Sequence, residues 1–349
     1  MAMTIVEKQR SVTGGVDTHM QVHVAAAVDE VGGVLGVESF PTTEAGYAQL
    51  VSWLGSFGTV QRVGVEGTGS YGAGLTRHLA RAHLDVVEVD RPNRQARRRA
   101  GKSDPLDAVS AARAALSGSS KGLPKARNGN VEAMRVLMVA RRSAIDERIT
   151  TLNQLRHICM TADEPIRRRF EGLNPAQLTK ATIALKPRRT DPVRYATLLT
   201  IRTLGQRVRF LQLETGDIDA ALKPLITATA PGLLGVFGVG YETAARLLVA
   251  AGDNPERLRS EAAWAHLCGV APIPASSGKT VRHRLNRGGD RQANSALYRV
   301  MVTRIAHDQV TRDYVARRLA EGKTMGEIGR ILKRYIAREV YKHLPRAAL

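Results

Sequence analysis

The chain contains little cysteine, few aromatic residues and no long hydrophobic run. Its two cysteines, Cys159 and Cys268, have neither CxxC nor Cys/His spacing, so neither a disulfide framework nor a zinc site is indicated. Aromatic residues make up only 4% of the chain, which argues against binding single strands through stacked bases. No apolar run approaches the roughly 20 residues of a membrane-spanning helix. Without a signal-peptide pattern at the N-terminus, a cytoplasmic protein is expected.

Acidic residues are scarce relative to basic ones. Lys and Arg number 52 against 32 Asp and Glu, which gives a formal net charge of +20. A charge of this size indicates a polyanionic partner, with nucleic acid first and an acidic membrane surface second. The hydrophobic content of 43% over 349 residues is ordinary for a folded protein of two or three domains.

Alternating hydrophobic residues predict an α/β domain at the start of the chain. Residues 14–28 form the first predicted strand, 29–33 a turn and 34–40 the second strand of a hairpin. The elements predicted next are a helix (43–55), a strand (61–66), a helix (73–83) and a strand (85–90). Asp17 lies inside the first strand and Glu66 ends the third. Because a buried unpaired charge is costly, Asp17 indicates a functional position at the edge of the sheet.

The segment 101–107, Gly-Lys-Ser-Asp-Pro-Leu-Asp, places two carboxylates one helical turn apart. Pro105 fits the first position of a helix, which makes Asp104 an N-cap and puts Asp107 on the same face. An ordinary helix start also explains both acids, because caps and first-turn acids suit the helix dipole. The motif is therefore weak when taken alone.

The predicted order of elements is that of an RNase H-like domain, in which Asp17, Glu66, Asp104 and Asp107 would converge. Four carboxylates at one point repel one another unless divalent cations neutralise them. Two Mg²⁺ ions, about 4 Å apart, are the standard arrangement for cutting a phosphodiester. His19 shares the face of Asp17, and we interpret it as a packed or surface imidazole.

A dinucleotide-binding domain is the main rival on local evidence. Gly67, Gly69 and Gly72 form a G-x-G-x-x-G motif between a strand and a helix, and Asp90 lies at the distance of a ribose-binding acid. A hairpin precedes this unit, however, and a cluster of cations follows it. A nicotinamide site does not need these cations, whereas a DNA backbone would bind them. They are Arg91, Arg94, Arg97, Arg98, Arg99 and Lys102.

The middle of the chain is predicted to be helical. Residues 117–130 are a linker by composition, and residues 131–225 contain two helices with apolar residues spaced alternately by three and four. The seam of the second is Ile201, Leu204, Val208, Leu211, Thr215, Ile218, Leu222 and Leu225. We expect a helical hairpin that also forms a coiled-coil dimer contact; packing within one subunit is the alternative.

Residues 226–349 form the last predicted domain, which is mainly helical. Residues 233–251 resemble a helix-hairpin-helix, or else a glycine turn between packed helices. A Pro- and Gly-rich loop contains Ser276 and Ser277, either of which could attack a phosphate, although Ser-Ser-Gly is also a common turn. The cations predicted to bind nucleic acid beside it are Lys279, Arg282, Arg284 and Arg287.

Four stretches together, residues 15–19, 64–72, 101–107 and 269–278, resemble the DEDD transposases of the insertion-sequence-110 type, which include the pilin-gene invertases. The resemblance implies a RuvC-like nuclease domain (1–116) whose metal-binding acids are Asp17, Glu66, Asp104 and Asp107. It also implies a C-terminal transposase domain (226–349) with a nucleophilic serine, placed at Ser277 with Ser276 as the alternative.

The activity implied by the resemblance is DNA strand exchange through a covalent phosphoserine. Its partners would be double-stranded donor and target DNA, a structured guide RNA encoded by the element, and further copies of the chain in a dimer or tetramer. The protein would be associated with the nucleoid when it acts. The alternatives are a structure-selective nuclease without a covalent step, a non-enzymatic DNA-binding architectural protein and a nicotinamide dinucleotide-binding enzyme.

Overall fold

The computed structural model describes residues 10–89, 103–120, 122–189, 191–280 and 283–346. The chain divides into two compact units. The first contains the chain up to Asn128 together with Gly252–Arg259, and the second contains Gly129–Ala251 and Ser260–Arg346. Within the described ranges, no helix combines the length and hydropathy that a membrane span requires.

The first unit is built on a mixed five-stranded sheet. Its elements are β1 (Ser11–Thr18), β2 (Val22–Val28), β3 (Val34–Pro41), α1 (Glu44–Ser56), β4 (Thr59–Glu66), α2 (Ala73–Arg81), β5 (Val86–Val89) and α3 (Asp104–Leu116). The strand order is β3-β2-β1-β4-β5. Strand β1 runs antiparallel to β2 and parallel to β4, which in turn runs parallel to β5. The predicted α/β domain at the N-terminus is therefore confirmed.

The start of the sheet differs from the prediction. The sequence predicts one strand over residues 14–28, whereas the structure has two antiparallel strands joined by a reversal at residues 19–21. The reversal, His-Met-Gln, contains neither Gly nor Pro, so no local signal marks it. The sheet thus gains a strand, and Asp17 lies beside a chain reversal rather than in mid-strand.

Helix α3 lies in direct backbone contact with the two central strands. A Cβ atom on Gly15 would lie 2.1 Å from the amide nitrogen of Ala112 and 2.3 Å from the carbonyl oxygen of Ala108. A Cβ on Gly64, the register neighbour of Gly15, would lie 2.7 Å from the carbonyl oxygen of Ala111. Only glycine permits this approach, so these two positions set the distance between the helix and the sheet.

The opposite face of the sheet carries the main apolar core of this unit. Helices α1 and α2 pack there against side chains of β1 and β4. The principal members of the core are Val12, Val16, Leu50, Leu54, Val63, Val65, Leu75 and Leu79. Since helices cover both faces, the centre of the sheet is buried throughout.

The second unit is mostly helical, as predicted. Its helices are α4 (Asn130–Thr161), α5 (Glu164–Phe170), α6 (Pro175–Ile183), α7 (Pro192–Thr229), α8 (Tyr241–Ala251), α9 (Glu261–Leu267), α10 (Arg291–His307), α11 (Gln309–Ala320) and α12 (Met325–Tyr341). A two-stranded ribbon, β6 (Ile273–Pro274) and β7 (His283–Arg284), follows α9.

The seam predicted on α7 faces the interior of this unit. Ile201, Val208 and Leu222 are buried, and α7 packs along α4. Arg141, on the α4 seam, is held by acids: its Nε lies 2.6 Å from Asp219 Oδ1, and a terminal nitrogen lies 3.3 Å from a Glu242 carboxylate oxygen. The predicted helical hairpin is therefore present, with α7 packed on α4 within one chain, and the predicted coiled-coil dimer contact stays a prediction.

We predict that Gly15→Ala will destabilise the protein by about 3 kcal/mol or more, because the added methyl group meets helix backbone rather than a movable side chain. The matched control is Gly55→Ala in α1, where an added Cβ meets no atom within 4 Å. This control should be neutral or stabilising by up to about 1 kcal/mol, because alanine favours helix. Urea unfolding measures both, and equal midpoints for the two variants would contradict the close helix–sheet contact.

Candidate active site

The carboxyl ends of β1 and β4 place Asp17 and Glu66 on neighbouring strands. The parallel pairing runs through Val16 and Val65, so Asp17 and Glu66 are the next pair in register. The Thr18 hydroxyl donates a hydrogen bond to the carbonyl oxygen of Glu66 at 2.9 Å, which ties the two strand ends together. Because side chains alternate along a strand, both acids share the sheet face that α3 covers.

Helix α3 begins above these strand ends. The prediction that Asp104 is the N-cap was wrong: Ser103 takes that position, and Asp104 is the first residue of the helix, before Pro105. Asp104 lies one turn before Ala108, which contacts β1, and Asp107 lies one turn before Ala111, which contacts β4. Residues four apart lie on the same face of a helix. The first turn of α3 therefore projects Asp104 toward the end of β1 and Asp107 toward the end of β4.

Asp17, His19 and Asp104 form a group whose candidate ligand atoms lie within 4.8 Å of one another. His19 Nε2 lies 3.3 Å from Asp17 Oδ2 and 3.4 Å from Asp104 Oδ2. Asp17 is buried, whereas about half of the Asp104 side chain is exposed. One imidazole nitrogen thus faces two carboxylates at a partly open site.

Glu66 and Asp107 lie outside this group of three, as judged over the described residues. Asp107 is buried, and its amide donates a hydrogen bond to the Ser103 carbonyl oxygen at 3.1 Å. Glu66 is half-buried at the end of β4. The structure thus brings Asp17 and Asp104 into one cluster. Glu66, at the end of β4, and Asp107, in the first turn of α3, lie beside this cluster but outside it.

His19 lies close to both acids, a position that its interpretation as a packed or surface imidazole did not anticipate. The side chain is neither a simple core residue nor a free surface group, because Nε2 is buried and makes no hydrogen bond within the described part of the chain. That nitrogen faces the two carboxylates instead. The available signal was its position two residues after Asp17, on the same face.

His23 supports the reversal that carries His19. Its ring stacks on Tyr47 with centroids 5.7 Å apart, and its Nδ1 accepts a hydrogen bond from the His19 amide at 3.4 Å. Burial, with a smaller effect from His19, lowers the pKa of His23 to about 4. His23 is therefore neutral near pH 7 and can act as an acceptor.

The donor set of the cluster, two carboxylate oxygens and one imidazole nitrogen, suits a divalent cation. Carboxylates suit Mg²⁺ and Mn²⁺, and the imidazole favours a transition metal such as Mn²⁺ over Mg²⁺. A cation between the three groups would satisfy the orphaned nitrogen of His19 and relieve repulsion between Asp17 and Asp104. The residues present therefore fit a divalent metal.

The candidate serine lies in a tight turn of the second unit. The Ser277 amide donates to the Thr280 carbonyl oxygen at 3.2 Å, and the Thr280 amide donates to Ser277 at 3.1 Å. Gly278, with φ +55°, makes the reversal. Ser276 and Ser277 are both exposed. The segment is thus a hairpin turn that presents two serines at the surface.

The predicted nucleic-acid-binding cations are only partly within the described residues. Lys279, Arg284 and Arg287 are exposed. The others lie outside the described residues: Arg91, Arg94, Arg97, Arg98, Arg99, Lys102 and Arg282.

The glycine motif after β4 does not offer its amides to a pyrophosphate. The amides of Ser70 and Gly72 both donate to the Gly67 carbonyl oxygen, at 2.8 and 3.1 Å. A dinucleotide-binding loop needs such amides free to approach the phosphates. Asp90, the predicted ribose ligand, lies outside the described residues. The local geometry therefore disfavours the nicotinamide alternative.

The glycine turn before α8 packs against a helix. Gly238 has φ +85°, and a Cβ there would lie 3.3 Å from Val300 on α10. Arg304 Nε donates to the Phe237 carbonyl oxygen at 2.9 Å. These contacts match the alternative interpretation of residues 233–251, a glycine turn between packed helices.

The first unit is thus a mixed α/β domain with a candidate divalent-metal site. Residues 14–161 match the family model of the IS110-type DEDD domain, described as "Transposase", and residues 231–316 match "Transposase IS116/IS110/IS902 family". The two matched segments together span about two thirds of the chain. The chain belongs to the IS110 family of transposases.

One relative is similar over part of the chain. It is the "Insertion element IS110 uncharacterized 43.6 kDa protein" of Streptomyces coelicolor, which is 34% identical over 129 residues. The similarity covers 36% of this chain and 32% of the relative. This likeness agrees with the family membership and concerns about a third of either protein.

We predict that Mn²⁺ will raise the thermal midpoint of the protein and that Asp17→Asn and His19→Ala will each reduce this shift. A ligand that binds only the folded state stabilises it by about 2.7 kcal/mol at a hundredfold excess over its Kd. The matched control is His83→Asn, an exposed histidine of the same unit with φ +56°, which asparagine tolerates. Calorimetric Mn²⁺ titration checks the result. A full shift in both cluster variants would exclude the cluster as the binding site.

Proposed function

We propose that the chain is a metal-dependent transposase of an insertion sequence that cleaves and rejoins DNA strands. The observation that carries the proposal is the meeting of Asp17, His19 and Asp104 at the carboxyl ends of parallel strands. Membership of the IS110 family supports a DNA-processing activity. The net charge of +20 supports a polyanionic substrate.

The first unit acts, in this proposal, as an RNase H-like (RuvC-like) nuclease domain. Its strand order, with an antiparallel three-stranded edge followed by two parallel strands, supports this assignment. The last helix crosses the two central strands and begins at their carboxyl ends, as the catalytic acids require. The proposed domain bounds are 1–116 for the nuclease, 117–130 for a linker, 131–225 for the helical dimerisation region and 226–349 for the transposase domain.

Asp17, Glu66, Asp104 and Asp107 are the proposed metal ligands, with His19 as an additional one. Bound Mg²⁺ ions would supply charge stabilisation to the phosphate and activation of the attacking oxygen. The protein's own contribution is rigidity: the strand ends and the first turn of α3 fix the acids before substrate arrives. His23 holds the backbone of His19 through its neutral Nδ1.

Ser277 is the proposed nucleophile, with Ser276 as the alternative. Its exposed turn and the neighbouring Lys279, Arg284 and Arg287 support the role, because cations stabilise charge that develops on a phosphate. Its Oγ would lose a proton and form an ester bond to phosphorus while the bond to one deoxyribose oxygen breaks and that oxygen takes a proton. A second phosphoryl transfer to a new strand would release the serine.

The proposed partners are double-stranded donor and target DNA, a structured guide RNA and further copies of the chain in a dimer or tetramer. The contact surface for nucleic acid comprises the predicted cations, which include the segment 91–102. The guide RNA and the multimer rest on the family resemblance alone. The resemblance includes the pilin-gene invertases, so the proposed activity also covers strand exchange of the kind that inverts a DNA segment.

We predict that Asp104→Asn with Asp107→Asn will lower Mg²⁺-dependent DNA cleavage by at least about a hundredfold. DNA binding should persist or strengthen, because removing two negative charges reduces repulsion of the phosphates. Glu38→Gln, at an exposed acid on β3, is the matched control and should cleave normally. Gel assays measure cleavage and binding separately. Unchanged function in the double variant would favour an architectural DNA-binding protein.

We predict that Ser277→Ala will abolish a denaturant-resistant protein–DNA adduct, whereas Ser276→Ala will retain it. Incubation with Mg²⁺, flanking non-coding RNA and end-labelled duplex, followed by denaturing electrophoresis, detects the adduct, and circular dichroism confirms folding. The reverse result would assign the nucleophile to Ser276. Undiminished cutting in both variants, with no adduct in either, would favour a structure-selective nuclease.

A further inference from the structure

The second unit contains a large cavity lined by cations. Its volume is about 1120 Å³, and it lies between the loop that follows α9 and the helices α10 and α12. Small-molecule pockets typically measure about 300–1,000 Å³ and are mostly apolar. This cavity is slightly larger, and several cations lie among its lining residues. These cations include Arg284, Arg287, Arg291, Lys323, Arg330 and Lys333.

The acids that the structure describes neutralise only part of this positive charge. Glu327, the acidic residue in the lining, accepts hydrogen bonds from Thr324 as part of a helix cap and interacts with Lys323 and Arg330. Arg334, a further lining cation, is paired with Glu261 at 2.9 Å. Within the described part of the chain, Arg284, Arg287 and Arg291 form no ion pair. An anion is therefore the expected occupant.

Lys333 is the strongest single indication of an anionic ligand. It is half-buried, and its ammonium donates a 2.8 Å hydrogen bond to Asn294 Oδ1, an uncharged partner. Asn294 is fixed in turn by a bond to the Cys268 carbonyl oxygen at 2.8 Å. Burial and the nearby Arg330 lower the pKa of Lys333. A phosphate beside it would supply the missing counter-charge.

Two tyrosines complete the lining. Tyr298 is 54% exposed and Tyr335 is 50% exposed, although tyrosine is scarce in this chain. The ring of Tyr335 packs edge-on against Tyr314 with centroids 6.2 Å apart, which holds it in place. Exposed aromatic rings beside cations form the usual platform for unpaired bases. A duplex keeps its bases stacked inside and offers such rings no free base face.

We infer that this cavity binds a short unpaired segment of nucleic acid, with phosphates on Lys333 and the arginines and a base stacked on Tyr298. The inference deepens the proposed function, on which it rests, by assigning an unpaired strand to a site that duplex DNA cannot fill. The low aromatic content of the whole chain argues against this mode, but two of its eight tyrosines, Tyr298 and Tyr335, line this cavity. RNA and melted DNA share the recognised chemistry.

The test measures binding of short fluorescent oligo-dT, oligo-U and duplex DNA to the full chain by anisotropy. Tyr298→Ala should weaken binding of the unpaired oligonucleotides by about 5- to 100-fold and leave duplex affinity within about twofold. Lys333→Gln should also weaken binding of the unpaired oligonucleotides. It should reduce the slope of the log binding constant against log salt concentration by about one. The matched controls are Phe210→Ala and Arg142→Gln, both exposed in the same unit and outside the cavity, which should bind normally.

Photo-crosslinking of 5-iodouracil oligonucleotides, mapped by mass spectrometry, should identify Tyr298. Preference for oligo-U or for oligo-dT would assign the strand to RNA or to DNA.

Wild-type affinity for unpaired strands in both cavity variants, or equal losses for unpaired strands and duplex, would overturn the inference. If cleavage depends on Asp104 and Asp107 while the cavity variants bind normally, the inference alone fails. If cavity binding is found without any cleavage, the proposed function alone fails.

Discussion

The close contact between α3 and the sheet is the constraint on which the candidate site depends. An aspartate has only one methylene group, so two aspartates on separate elements meet only where their backbones are near. Gly15 and Gly64 remove the side chains that would hold the helix away, and the alanines of α3 complete the contact. The approach of Asp104 to Asp17 follows from glycines that carry no chemistry themselves.

The chain reversal after β1 positions His19 beside the two acids. His19 is carried on a turn without Gly or Pro, and its amide is bonded to a neutral, buried His23. Since burial holds the pKa of His23 near 4, its ring does not add a positive charge beside His19 at neutral pH. The lone pair of His23 Nδ1 stays available to the amide, so His23 acts as a structural acceptor for the backbone of the reversal that carries His19.

The sequence predicted features that depend on local chemistry and missed those that depend on tertiary contact. Pro105 and the strand ending at Glu66 placed the acids on a helix start and a strand end, and hydrophobic periodicity gave the order of an α/β unit and a helical unit. The reversal at residues 19–21 has no turn residue, so alternation continued through it. The same spacing that suits a coiled coil also suits the packing of α7 on α4. The bond from Lys333 to Asn294 joins residues 39 positions apart, and no local pattern encodes it.

The two sites use charge in opposite ways. The cluster around Asp17 is acidic, so phosphates are repelled from it until divalent cations reverse the sign of its field. The cavity around Lys333 is basic and half-desolvated, so a phosphate there replaces hydration that the ammonium has already lost. In the proposed function, the attraction that retains a nucleic acid and the chemistry that acts on it therefore belong to different residues. Monovalent salt weakens phosphate contacts, whereas the proposed acidic centre would need a divalent cation, so the proposed binding and cleavage would respond to different ions.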